Sequence, residues 1–526
     1  MPEKEFNLID EPWVRVLNAD GSTAEVSLRD ALVRAHEFID LGGETQTQNI
    51  AVLRLLLAVV HTVFSRMDEN GEAAPLEDEE MALDRWAALW ENGALPEQPI
   101  AAYLDKWHER FWLFHPERPF MQAVSAENGT SNDAKKLIGE LSESNNKIRL
   151  FQMRSGDGKT SVCYSEAARW LIYLNAFDDN GLKPRKNDTA TWVGRLGVVY
   201  AIGRSLFETL LLNMVFLKDN QEIWQENRPL WEQEPRKGLN KIPVPDNQAE
   251  ILTVQNHRIL LERENGRVKR YTVVNGDYFG TENIFTEQMT KWYLKEKKAD
   301  VNIYTPAKWD ASRQMWRDFS NLFLSADGAK MPGAVSWGAF LRKKRIVSAK
   351  ITHFGALSVQ YKGQFMSSIV DSYGDELTFH TALFSEINEG WLNRIGEEVA
   401  KCDLIAQKAG LLSQVIHIAS GGNPKDKKKT ERMARAKEMW YAQVDEPFRK
   451  WLRQLDPDTM SIDEAVSQWL EQEHRLAFAF GEQMVKQAGS RVLFGRKVDG
   501  ETVSGAKALL RYKGAVNNIL WGGKTK

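Results

Sequence analysis

The chain is poor in cysteine: two in 526 residues, Cys163 and Cys402, far apart in sequence. That spacing offers neither a disulfide framework nor a zinc site. Net positive charge is also missing. The formal charge is −3 and the pI is about 6.4, so the chain cannot coat a polynucleotide by bulk charge. Contact with one would come from local patches, or from membership in a larger assembly. No uninterrupted apolar stretch reaches the length expected of a membrane helix. The nearest, Ile50 to Phe64, contains Arg54 and His61 and predicts a buried core helix. The N-terminus, MPEKEFNLIDEPW, is polar and acidic rather than signal-like, so a cytoplasmic protein is expected. No repeat of fixed period occurs.

Catalytic signatures are absent as well. The nine histidines show no metal-binding spacing, and His115 in HPERPF sits in a proline-shaped turn. There is no G-x-S-x-G elbow and no Cys/His nucleophile motif. The segment RSGDGKT, Arg154 to Thr160, ends like a phosphate-cradling loop. A Walker A loop needs its first glycine five residues before the second, and that position is Met153. SVCY also intervenes before any helix, so the plainer reading is a polar turn. No cofactor and no metal are expected. A nucleotide-dependent enzyme built on the Gly158-Lys159-Thr160 turn, and a scaffold without nucleic-acid contact, stand as alternatives.

What is abundant is aromatic side chain, 18 Trp and 23 Phe, expected mainly in a large core. The length suggests two or three domains. Alternation in WVRVL and TAEVSL around NADGS predicts a hairpin, followed by a helix capped by Ser27. Helical spacing marks 45–67, 77–93 and 99–122, then Ser165 to Phe177 with Ser165 as a possible cap, and GRSLFETLLLNMVF. A β-rich unit turns at ENG within 249–279, and strands are expected around a loop within 345–372. Beyond that, four amphipathic runs, Phe379 to Ser420, Thr430 to Leu455, Ile462 to Gly489 and Val503 to Leu520, predict an antiparallel four-helix bundle. The fold class is therefore α+β: a mixed domain over 1–374 and a bundle over 375–526.

Basic residues gather in turn-rich parts of the mixed domain. The stretch 145–161 combines Lys147, Arg149, Phe151, Gln152, Arg154 and Lys159. The loop 178–190 carries Lys183 and Arg185, and RENGRVKRY carries Arg267, Lys269 and Arg270. Arg342 to Arg345 form a fourth patch, and Gln360, Lys362 and Gln364 lie in a glycine-flanked segment. Cations neutralise phosphates, aromatics stack on bases, and glutamine can read base edges.

Five motifs in order, NLIDEPWVRV, HPERPFMQ, SEAARWLIYLNAF, LFETLLLNMV and MWRDFSNLF, resemble the CasA family, the large subunit of the type I-E CRISPR Cascade complex. The resemblance spans nearly the whole chain. It implies a non-enzymatic subunit that recognises a short protospacer-adjacent motif (PAM) in double-stranded DNA, helps unwind the target so that guide RNA can pair, and recruits a helicase-nuclease. The implied partners are the backbone, small and guide-processing subunits, the crRNA and the duplex target. Carried over position by position, Phe151, Gln152 and Arg154 match the loop that meets the complex and the guide end. Lys269 matches the basic finger of the minor groove, with Arg270 or Arg267 as alternatives. The wedge falls at Gln360 or Gln364. The glycine-rich PAM loop falls at 178–190, where this sequence has a single glycine, Gly181, with Lys183 and Arg185. The stretch 423–437, NPKDKKKTERMARAK, reads as a solvated linker or as a track for displaced DNA.

Overall fold

A computed structural model describes residues 3–139, 154–177, 191–219, 221–298, 301–324, 330–361, 369–384 and 388–522. The chain divides into two compact units. The first comprises Met1–Ala311, Ala326–Leu341 and His353–Glu376; the second comprises Ser312–Ser325, Arg342–Thr352 and Leu377–Lys526.

The first unit begins with the expected hairpin, Val14–Asn18 against Thr23–Val26. The Ser27 hydroxyl accepts from the Asp30 amide at 3.0 Å and caps the next helix. The helix Gln46–Phe64 is the central buried element. It has 19 residues, so it meets the length and composition of a membrane span that the shorter apolar run did not. Its most apolar window is 94% buried, which suits a core helix. Arg54 inside it is matched rather than exposed: both Nη atoms reach the Glu287 carboxylate at 2.9 Å.

Three expected boundaries move. The helix in PIAAYLDKWHERFW ends at Trp107, and Trp112–Phe114 is a strand paired with Glu5–Asn7. The helix Tyr164–Phe177 already includes Ser165, so that residue does not cap it. Phe379 does not begin a bundle helix but lies near the end of the strand Ile369–His380. Two hairpins organise the rest of the unit. His257–Glu264 pairs with Arg267–Asn275, whose other edge takes Thr130–Asp133. Ile351–Tyr361 stands between Ile369–His380 and Val198–Ala201 in a three-stranded sheet.

The second unit is the bundle, with helices Glu389–Ala419, Lys429–Gln454, Ile462–Gln487 and Gly505–Trp521. Tryptophan builds much of its core. Trp451 stacks on Trp469 at 5.3 Å between centroids, and Phe448 meets Trp469 edge-on at 5.2 Å. The segment Ser312–Ser325, which the sequence divides off with the mixed domain, joins this unit. Trp316 accounts for that. Its ring stacks on Phe448 at 4.4 Å and its Nε1 donates to Asp445 Oδ1 at 2.7 Å.

Candidate nucleic-acid interface

The hairpin His257–Glu264/Arg267–Asn275 turns at Asn265 and Gly266, with φ of 52° and 70°. Two successive left-handed residues suit the twist of a tight hairpin, and Asn-Gly is the pair that tolerates them. Next to the turn the register slips. Val268 faces Arg263 while Arg270 faces Glu262, so Lys269 is the extra residue of a β-bulge. A bulge re-aims the side chain it carries. Lys269 Nζ rests 3.1 Å from Glu264 Oε2, and Arg270 Nε 3.4 Å from Glu262 Oε2; all four side chains are exposed.

Arg267 is used differently. Its Nε donates to Ser161 Oγ at 2.7 Å and its Nη2 to the Ser161 carbonyl at 3.1 Å. Val162 and Val268 also exchange backbone hydrogen bonds of 3.0 and 2.9 Å. The glycine turn therefore sits beside the Lys269 bulge, a grouping not visible in the sequence. Asp157–Thr160 makes one helical turn, and no Walker-type helix follows. Gly156 has φ of 55°, and a Cβ added at Gly156 or Gly158 would meet no atom within 4 Å. Both positions are open surface. Arg154 pairs with Glu166 at the start of the helix Tyr164–Phe177.

The other end of that helix holds a second group. Phe177 precedes 178–190, and Tyr361 precedes 362–368; both stretches lie outside the described residues. With them lie Gly181, Lys183, Arg185 and Gln364, as do Phe151 and Gln152. The roots of the two stretches are tied together: Tyr361 Oη donates to the Phe177 carbonyl at 3.2 Å. Thr191, the first described residue after 178–190, bonds through its hydroxyl to the Ala176 carbonyl. Lys308 Nζ donates to the Val359 carbonyl at 3.0 Å and lies 4.3 Å from the Tyr361 ring centroid. Burial, and then the Arg195 charge, pull the Lys308 ammonium down to about 8. Gln360 is half-buried in the strand, one residue before its end.

The structure thus brings Arg154, Lys269 and Arg270 to one end of the Tyr164–Phe177 helix and Gln360 to the other. Fourteen residues at 1.5 Å each separate the two groups by roughly 20 Å. Lys308 and Arg195 were missed. Each is an isolated cation in its local sequence, and only tertiary packing assembles them.

HPERPFMQ has a structural role. His115 Nδ1 accepts from the Glu117 and Arg118 amides at 3.1 and 3.0 Å, which fixes a turn. Gln122 bridges the Leu113 carbonyl at 2.7 Å and the Leu261 amide at 2.9 Å, locking the Lys269 hairpin to the strand Trp112–Phe114. No cluster of potential metal ligands occurs among the described residues.

Comparison with known proteins gives the family. The family model described as CRISPR-associated protein Cse1 matches residues 7–480. A curated relative, CRISPR-associated protein CasA/Cse1 of Thermus thermophilus, is 36% identical over 339 residues. That alignment covers 62% of each chain, so it spans less than two thirds of the relative's length. Cse1 of Thermobifida fusca superposes with a TM-score of 0.83 at 26% identity, covering 98% of both chains. A chain of a structure described as a CRISPR RNA-guided surveillance complex gives 0.70 at 19% identity, covering 97% of this chain and 99% of that one. With the family model matching most of its length, the chain belongs to the Cse1 (CasA) family of CRISPR-associated proteins.

Proposed function

We propose that this chain is the large, non-catalytic subunit of a type I-E Cascade surveillance complex, and that it reads the PAM in duplex DNA and helps open the target. The observation that carries the reading is the pairing of an exposed bulge lysine with an open glycine turn. Lys269 can exchange Glu264 for a phosphate, or enter a minor groove where small protrusions fit. Gly156 and Gly158 leave the adjoining surface without side chains, so a duplex backbone can approach closely. Arg154, with Phe151 and Gln152 upstream, would then face the guide end, and Arg270 would add a second phosphate contact.

The joined roots at Phe177 and Tyr361 support a wedge. A hairpin whose base is held by Tyr361 and Lys308 can push against a base pair without giving way. Gln360 or Gln364 would do this, with Gly181, Lys183 and Arg185 presented from the same base. Duplex opening then exposes the strand that guide RNA pairs with, so protein reads the PAM and base pairing reads the rest. The remaining Cascade subunits, the crRNA, the target duplex and the helicase-nuclease are the partners, in the cytoplasm and with no membrane involved.

The test is a gel shift with the other Cascade subunits and guide RNA, with and without this chain, on duplexes carrying a randomised flank beside the protospacer. Tight binding to a subset of flanks that requires this chain is the expected result. Identical binding on all flanks would defeat the reading. Gln360→Ala or Gln364→Ala should slow strand opening, read by a 2-aminopurine reporter, more than it weakens initial binding.

A further inference from the structure

In the bundle unit, the first helix, Glu389–Ala419, and the last, Gly505–Trp521, flank a groove of about 750 Å³. The hairpin Arg496–Val498/Glu501–Val503 closes one end, with Val503 in the lining. The floor is apolar: Leu411, Leu412, Val415 and Ile418 from the first helix, with Ala508 and Ala515 from the last. These positions recur at helical spacing, so each helix turns one stripe to the groove. Ala508 and Ala515 keep this side of the groove low, and the Tyr512 ring of the same helix adds to the lining. Leu411 remains 48% exposed and Leu404, two turns earlier, 43%.

The rim is positive. Lys408, Lys507 and Arg511 line the groove against one carboxylate, Glu501. Three cations and one anion give the rim a net charge of +2, on a chain whose total is −3. None of the three cations forms an ion pair among the described residues. An apolar trough with unpaired cations on its edges matches the chemistry of an acidic amphipathic helix, apolar on one face and carboxylate-bearing on its flanks. A polynucleotide is a poorer match, because a phosphate backbone has nothing to place against Leu411, Val415 and Ile418.

We propose that this groove docks an acidic amphipathic helix of a partner protein. From Lys408 to Ile418 the groove runs about 15 Å at 1.5 Å per residue, so roughly three turns of the guest are engaged. Apolar residues at i, i+3 or i+4 and i+7 fill the trough, and glutamates on either side meet Lys408, Lys507 and Arg511. The proposal does not depend on how the loops of the first unit read DNA.

The test uses the full chain and a fluorescein-labelled synthetic helix with leucines on one face and glutamates beside them, read by anisotropy. Saturable binding is expected that weakens at least tenfold with Lys507→Glu plus Arg511→Glu, and similarly with Leu411→Glu. All three positions are exposed, and circular dichroism would verify that the helices persist. Replacing the glutamates of the probe by lysines should also weaken binding at least tenfold. Equal binding of a scrambled probe, variants without effect, or preference for an oligo-dT strand would each overturn the proposal. So would sedimentation showing that the groove is filled by a second copy of the chain.

Discussion

The first unit pairs most of its buried charge, whereas the bundle holds one buried carboxylate that is paired, Glu398 with Lys401, and one that is not, Glu473. In the first, several deeply placed arginines find carboxylates elsewhere in the chain, while Arg85 donates instead to the Phe64, Met67 and Ala74 carbonyls. Arg54 and Glu287 are both 1% exposed and bind through two contacts. Arg258 meets Asp277 at 2.5 Å, and Arg169 holds Glu25 and Glu44, each at 2.7 Å. In the bundle, Glu473 is completely buried, and neither of its oxygens completes a hydrogen bond of normal geometry. Its surroundings are the Cys402 thiol, the Trp469 indole, the Glu398 carboxylate and, opposing the shift, the Lys401 charge. Burial pushes its carboxyl up to about 8, so it stays protonated at neutral pH. Paired charges fix which elements meet. An unpaired carboxyl fixes nothing and makes the bundle depend on pH.

Breaking the Arg54–Glu287 pair should have the largest effect. Arg54→Ala leaves Glu287 buried without its partner, and such losses cost about 3–5 kcal/mol. Glu287 also accepts from Trp192 Nε1 at 2.7 Å, and Trp192 is the second residue after 178–190, so the damage should reach the root of that stretch. Denaturant unfolding measures the loss. Replacing both residues by leucine or methionine should recover most of it, because the desolvation penalty disappears with the charges. A double variant as unstable as the single one would show that the pair does more than satisfy itself.

The next two predictions set the units against each other by pH. Glu473 is raised from 4.5 to about 8 in the folded state. Its contribution is complete below pH 4.5 and is lost as pH rises through 8, because the unfolded chain then gives up the proton more readily. Glu473→Gln should flatten this loss and raise the melting temperature of the bundle in mild alkali. In the first unit, burial drives His61 down from 6.5 to about 3. Its contribution is complete above pH 6.5 and is lost as pH falls towards 3. Hydrogen exchange, read separately in the two units, should show the first opening preferentially in acid and the bundle in alkali. Both units opening in acid alone would mean that Glu473 is hydrated in solution.

This contrast was partly legible in the sequence. Bundle helices announce themselves because a 3.6-residue period repeats over dozens of residues. The Asn265-Gly266 turn and the Ser27 cap are equally local signals. Arg54 within an apolar run was visible, but its partner lies 233 residues away and no local pattern points to Glu287. The bulge that singles out Lys269 depends on register against Arg263 and Glu262, and register is a property of two strands. From sequence the glycine turn is a polar turn within the basic stretch 145–161. Its place beside that bulge comes from the Val162–Val268 pairing and the Arg267–Ser161 contact, which join segments more than a hundred residues apart. Trp316 moved to the bundle unit because its partners, Phe448 and Asp445, belong there.

The smallest stability effect should come from Lys269, and it tests the comparison at its surface limit. Lys269 and Glu264 are 42% and 63% exposed, so their contact is screened by solvent and is worth at most about 1 kcal/mol. Lys269→Ala should leave unfolding almost unchanged, in contrast with Arg54→Ala. Its effect should appear on DNA instead. Losing one phosphate contact lowers the slope of log affinity against log salt by about 1. Glu264→Ala separates the two roles of the lysine. If Glu264 only parks Lys269 until DNA arrives, removing it frees the cation and strengthens binding at low salt, with the slope retained. If the pair instead shapes the bulge, Glu264→Ala and Lys269→Ala should weaken binding alike, and the double variant should be no worse than either. The proposed DNA contact at Lys269 requires a weak exposed pair, close enough to hold the side chain in place and loose enough to be exchanged.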